Sequence, residues 1–100
     1  METAESWRAL FDNWPTHLER RGSVLSKQGE SLWFDNFLVA GNIVLLERAA
    51  PDAFGARKVF IGYDSIALVK LPSTVELKEF QSMGFRPPRG DKPAAPKSAS

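Results

Sequence analysis

The chain contains no cysteine and a single histidine, His17. The first absence excludes a disulfide scaffold, a thiolate nucleophile and sulfur-rich zinc or iron–sulfur centres. The second excludes a two-histidine metal site within one chain. Long apolar runs are also missing. The longest, residues 37–40, 43–46 and 66–69, have the length of strands and fall far short of the ~20 residues a membrane-spanning helix needs. The opening Met1-Glu2-Thr3-Ala4-Glu5 is acidic where a secretory signal is basic. A soluble cytoplasmic protein without a membrane partner is the expectation.

Signals for catalysis are equally scarce. There is no glycine-rich phosphate loop, and Ser23, Ser26, Ser31 and Ser65 lie in no nucleophile motif. The midchain carboxylates Glu30, Asp35, Glu47, Asp52 and Asp64 are not grouped by any spacing that a glycosidase pair or a hard-metal site would use. His17, in a polar connection, reads as a solvated side chain. The expectation is a protein that is not an enzyme and carries no cofactor or metal.

What is present describes one domain. One hundred residues with 43% hydrophobic and 25% charged content suffice for an unaided core. The formal net charge is +1, but residues 86–100 hold Arg86, Arg89, Lys92 and Lys97 against Asp91 alone. Residues 1–85 are therefore slightly acidic, without the linear basic patch of a phosphate-gripping domain. The expected division is a domain over 1–85 and a disordered, Pro/Lys-rich tail over 86–100, which holds four of the seven prolines.

Trp7, Leu10, Phe11 and Trp14 recur at i, i+3, i+4 and i+7, which predicts an amphipathic helix over about 4–14. Thr3 is its expected cap, and Pro15 stops it near Asn13. With barely three turns it must dock on something apolar. Residues 22–71 read as five strands. Leu32 and Phe34 share one parity, Phe37 and Val39 the other, so the second strand should bend near Asp35-Asn36. Residues 43–46 are apolar on both faces, as in a central strand. Val59, Ile61 and Tyr63 alternate on one face, and a very short connection at Asp64 leads to the last strand. Five bent strands in fifty residues predict a small, strongly curved antiparallel barrel whose closure removes most edges. Ser73-Thr74-Val75-Glu76 has capping-box spacing for a second short helix over about 74–83, with Leu77 and Phe80 on its apolar face and Gly84 as its stop.

A short N-terminal helix followed by five bent strands resembles the Sm/LSm-like small β-barrel family, whose bacterial branch is Hfq. The likeness covers about residues 22–71. It is carried by Gly29-Glu30, by the aromatic-rich strand after it, by Asn42-Ile43-Val44-Leu45-Leu46-Glu47, and by the pair Val59-Phe60-Ile61 and Ile66-Ala67-Leu68-Val69. SH3-like and OB-like five-stranded barrels share the same kind of strand pattern. Two registers fit the family. In one, Phe34-Asp35-Asn36-Phe37 is similar to the Phe-Asp-x-Phe segment at the Hfq RNA pore, which implies that Phe37 stacks on a base and Asn36 reads its edge. In the other, which spacing favours, the second strand runs over 31–39 and turns at Ala40-Gly41-Asn42. The RNA loops are then that turn and Tyr63-Asp64-Ser65, with Asn42 supplying an amide and Tyr63 a stacking ring. Neither loop carries the family's usual motif, and Asp64 stands where a cation would meet phosphate.

The resemblance also implies a homo-oligomeric ring, built by pairing the fourth and fifth strands edge to edge. Trp33, opposite in parity to Leu32 and Phe34, together with Val59, Phe60, Ile61, Ile66 and Leu68, would form the subunit interface. Two functions follow as expectations. One is a non-enzymatic ring that binds single-stranded RNA by stacking and phosphate contacts, helped by the tail's cations. The other is a protein-interaction or assembly module of the same fold that binds no nucleic acid.

Overall fold

The computed structural model describes residues 2–48, 50–72 and 74–89. It is mainly β, with helix α1 (Thr3–Asp12) preceding strands β1 (Gly22–Ser26), β2 (Ser31–Phe34), β3 (Asn36–Ala40), β4 (Ile43–Glu47), β5 (Lys58–Gly62) and β6 (Ile66–Lys70). The strands form two antiparallel three-stranded sheets, ordered β2-β1-β6 and β3-β4-β5. Six strands thus stand where five were expected, because the second strand divides where its parity slips. Asp35 falls between β2 and β3 and donates its N–H to the Glu47 carbonyl at 2.9 Å. The two sheets are therefore joined through one sharply bent stretch of chain.

Inward positions follow the alternation. Leu32 and Phe34 of β2, Phe37 of β3, Val44 and Leu46 of β4, and Ile61 of β5 are all buried and meet Val24 of β1 and Ile66 of β6 in one core. Gly41, at φ 55, makes the tight β3–β4 turn, a backbone state open to glycine at little steric cost. No ladder joins β5 to β6 among the described residues, so the barrel expected from the sequence is not closed. The physical reason is local: a 3-10 turn, Tyr63–Ser65, swings the chain from one sheet to the other and leaves no hairpin pairing between them.

Helix α1 caps the core, as its stripe requires. Phe11 is buried, Trp7 and Trp14 pack against the cluster, and the Trp7 indole Nε1 donates to the Ile66 carbonyl at 3.2 Å. The Trp14 indole Nε1 reaches the Leu18 and Glu19 carbonyls, each at 3.2 Å. The cap is Glu2 rather than Thr3. The Glu2 N–H donates to Glu5 Oε1 at 3.3 Å, and the Glu2 carbonyl accepts the Ser6 N–H at 3.1 Å, which places Thr3 inside the first turn. The second helix is a 3-10 helix, Leu77–Met83, stopped at Gly84 with φ 100. Leu77 is exposed there, although three residues per turn align it with Phe80 on one face. Ser73 and the tail from residue 90 onward, with Lys92 and Lys97, lie outside the described residues.

Candidate functional site

The fold brings together the two loops that the resemblance assigns to RNA. The Tyr63 N–H donates to the Asn42 carbonyl at 3.0 Å, and the Ser65 carbonyl accepts the Lys27 N–H at 2.8 Å. Beside them lies a shallow cavity of about 280 Å³ lined by Glu2, Glu5, Arg8, Asn42, Tyr63 and Asp64. Its charge is wrong for phosphate. Three carboxylates face one guanidinium, and Arg8 is itself 3.7 Å from Asp12. Tyr63 is 2% exposed, and its ring centroid sits 6.0 Å from that of Phe11. Its hydroxyl is buried without a hydrogen-bond partner among the described residues. Burial, with the nearby charge of Asp12 in second place, pushes the phenol above its ordinary value, and Arg8 opposes the shift.

Phe37 is likewise enclosed, at 4% exposure. Phe11 meets it edge-on at 5.0 Å, Trp14 at 5.1 Å and Phe34 at 5.8 Å. The Arg20 guanidinium carbon lies 5.4 Å from its ring centroid. A base stacking on Phe37 or on Tyr63 would first have to displace α1. In this structure both rings are core, a placement made by a helix distant in sequence. Asn36 is exposed, but its Oδ1 accepts the Phe37 N–H at 2.8 Å. Asn42 is exposed at the turn.

The residues expected at a subunit interface divide by parity. Trp33 and Phe60 point outward, at 59% and 68% exposure, while Ile61 and Ile66 belong to this subunit's own core. Val59 packs partly against that core, and Leu68 is half-buried. Ile61 and Ile66 therefore contribute nothing outward, since strand alternation commits their side chains to the interior.

The backbone edges carry more information. Beyond the β4–β5 ladder, the Tyr63 N–H bonds to Asn42 and the Arg48 N–H to Arg57. Register pairs Ile43 with Gly62, Leu45 with Phe60, and Glu47 with Lys58. Because antiparallel hydrogen bonds alternate, Lys58, Phe60 and Gly62 turn their backbone groups to the free side of β5. The same reasoning from the Ser26-to-Glu30 bond between β1 and β2 leaves Val69 facing the free side of β6, while Ala67 sits at the register shift beside Leu25 and Ser26, where the alternation breaks.

Sequence reasoning missed Leu38 and Leu45 as surface groups. Register sets Leu38 opposite Leu45 and Leu45 opposite Phe60, on the outer face of β3-β4-β5, and Leu38 is 66% exposed. The available signal was the strand at 43–46 with apolar residues on both faces.

Elsewhere, a groove of about 550 Å³ between α1 and the C-terminal segment is lined mainly by Leu10, Leu77, Phe80, Phe85, Pro87 and Pro88. It offers little chemistry. His17 is not merely solvated, because its Nε2 lies 2.7 Å from Glu79 Oε1. Asp52 Oδ1 accepts the Phe54 and Ala56 N–H groups, each at 2.9 Å, and the Ala56 bond is the largest cause that holds this carboxyl below its usual range. Among the described residues no group of three His, Cys, Asp or Glu is placed to hold a metal ion, and no helix is long and apolar enough to cross a membrane. No protein-family model, curated protein or solved structure matches this chain.

Proposed function

We propose that this chain is a non-enzymatic assembly module of Sm-like architecture that joins copies of itself edge to edge through β5 and β6. The bent β2–β3 stretch, the two three-stranded sheets and the short turn between β5 and β6 support the Sm-like reading. The observation that carries the assembly reading is that β5 and β6, two of the four outer strands, have no partner on one side. Exposed strand edges are templates for another chain, and here the β5 edge is flanked by outward Phe60. Pairing β5 with β6 of a neighbour extends the outer row Leu38, Leu45, Phe60 into the neighbour's Leu68 and Leu25, which register pairs on the outside of β1 and β6. Such a contact is heterologous, so it repeats until it closes into a ring.

Light scattering during size-exclusion chromatography tests this reading. The full chain is expected at a discrete multiple of 11.1 kDa. Val69→Pro removes one N–H on the free side of β6 at a half-buried position, a change that edge strands tolerate. It should abolish the edge assembly while leaving far-UV circular dichroism unchanged. A monomeric wild type, or an unaltered mass in the variant, would overturn the reading.

A second reading, binding of single-stranded RNA, is favoured by the juxtaposition of the Asn42 and Tyr63 loops. The acidic lining and the enclosed rings weigh against it. Under this reading RNA binding weakens with salt and with removal of residues 86–100, whose cations would meet phosphate. No binding at low salt would eliminate it.

A further inference from the structure

The edges leave the outer face of β3-β4-β5 unexplained. Cross-strand register arranges that face in three rows: Asn36, Glu47, Lys58; then Leu38, Leu45, Phe60; then Ala40, Ile43, Gly62. Leu38, Phe60 and Ile43 are all exposed, and Leu45 is half-buried. Contiguous apolar patches of this kind are uncommon on the surface of a monomer. The first row is polar, with Lys58 Nζ 3.4 Å from Glu47 Oε2. The face is therefore apolar over two rows and closed at one end by an ion pair.

We infer that this face is a self-docking surface, on which a second copy of the chain seats about a two-fold axis parallel to β4. The pattern of the rows selects that axis. Rotation about it keeps each row opposite its own counterpart and reverses the order of the strands. Leu38 then meets Phe60 of the second copy, the long ring filling the space above the shorter side chain, while Leu45 and Ile43 meet their own equivalents. In the polar row Asn36 meets Lys58 of the second copy and the two Glu47 side chains meet each other, each with its own Lys58 beside it at the exposed rim. A two-fold axis perpendicular to the strands would instead lay Glu47 and Lys58 over Ile43 and Ala40, burying charge against apolar groups at high cost.

The size of the face sets the strength. Three five-residue strands, at about 3.3 Å rise and 4.8 Å spacing, project to roughly 16 by 14 Å. With side-chain relief this gives about 500 Å² per copy and about 1,000 Å² in total, at the lower limit of specific interfaces. The expected dimer is reversible, with a dissociation constant on the order of 10 µM. It uses no free edge, so it adds to the edge assembly proposed above and does not depend on it.

Analytical ultracentrifugation of four full-length proteins separates the two contacts. Leu38→Lys charges the outer face on β3, away from the β5 and β6 edges, and Val69→Pro alters the β6 edge without touching the face. Val69→Pro alone should remain a concentration-dependent dimer. Leu38→Lys should keep the edge assembly at half the wild-type mass or less, and the double variant should be monomeric. A wild-type mass in Leu38→Lys, or a monomeric Val69→Pro at about 50-fold above the expected dissociation constant, would overturn the inference. Failure of the edge reading appears differently, as a Val69→Pro mass identical to wild type.

A crosslinking arm guards against misfolded variants. The natural chain has no cysteine, so Ile43→Cys places one thiol beside the axis and Phe54→Cys places one on an exposed loop off the face. A short bis-maleimide should couple Ile43→Cys into dimers and leave Phe54→Cys monomeric. Equal yields from the two would also refute the two-fold seating.

Discussion

Replacing Phe11 by alanine tests how far α1 belongs to the core. The side chain is 2% exposed. Its ring lies within 5.0–6.3 Å, centroid to centroid, of Phe37, Trp14, Tyr63 and Phe34. Removing a buried phenyl forfeits roughly 1.5–3 kcal/mol of transfer free energy. The cavity left behind, and contacts worth ~0.5–1.5 kcal/mol for an aromatic pair, add to that loss without summing pair by pair. The expected cost is about 4 kcal/mol, against a total stability on the order of 5–10 kcal/mol for a domain of this length. A ten-residue helix cannot persist in water without its packing, so α1 should undock and the Trp7-to-Ile66 hydrogen bond should go with it. Urea denaturation, followed in parallel by tryptophan fluorescence and far-UV circular dichroism, reads both effects. Phe11→Leu, which keeps most of the volume, should cost less than half as much. A Phe11→Ala loss below about 1 kcal/mol would refute the placement of α1 as part of the core.

One further substitution and one titration are equally direct. Gly22 lies between β2 and β6, and a Cβ there would come 2.5 Å from the Lys70 carbonyl oxygen, 3.2 Å from Leu71 Cδ2 and 3.3 Å from Phe34 Cζ. Because the nearest atom is backbone, Gly22→Ala should cost about 2–3 kcal/mol, read as a lower urea midpoint with an unchanged slope; a loss under about 0.5 kcal/mol would contradict the register. Tyr63 is the sole tyrosine and its phenol is raised above the ordinary 10.0 by burial, then by Asp12. Its contribution to stability is thus fully present below the ordinary pKa and lost as pH rises through the folded one. Tyrosinate absorbance should appear only above the ordinary range, whereas an ordinary titration in the folded protein would show the ring to be solvated.

Several parts of this architecture were legible from residue order because they rest on local rules. The stripe Trp7, Leu10, Phe11, Trp14 produced α1, and Pro15 ended it. The parity slip after Phe34 marked the bend at Asp35, where the chain divides into β2 and β3. The turn at Gly41-Asn42 and the shared face of Ile61 and Tyr63, though not the burial of that face, followed from spacing alone. The opposite orientations of Trp33 and Leu32 did as well.

The candidate site was much less legible. Phe37 and Tyr63 have the residue types and loop positions that would suit base stacking, yet both serve as core beneath α1. Nothing local distinguishes a ring waiting for a ligand from one covered by a helix that begins at Thr3. Leu38 shows the converse, since its outward orientation acquires meaning only when β4 and β5 align Leu45 and Phe60 beside it. Periodicity along the chain is written by each strand's own geometry, so the sequence by itself determined which residues share a face. Which face is covered, which edge stays unpaired, and which apolar row remains on the surface depend on contacts between elements far apart in the chain. Those were decided by the tertiary structure, because burial is a property of what packs against a side chain and not of the side chain alone.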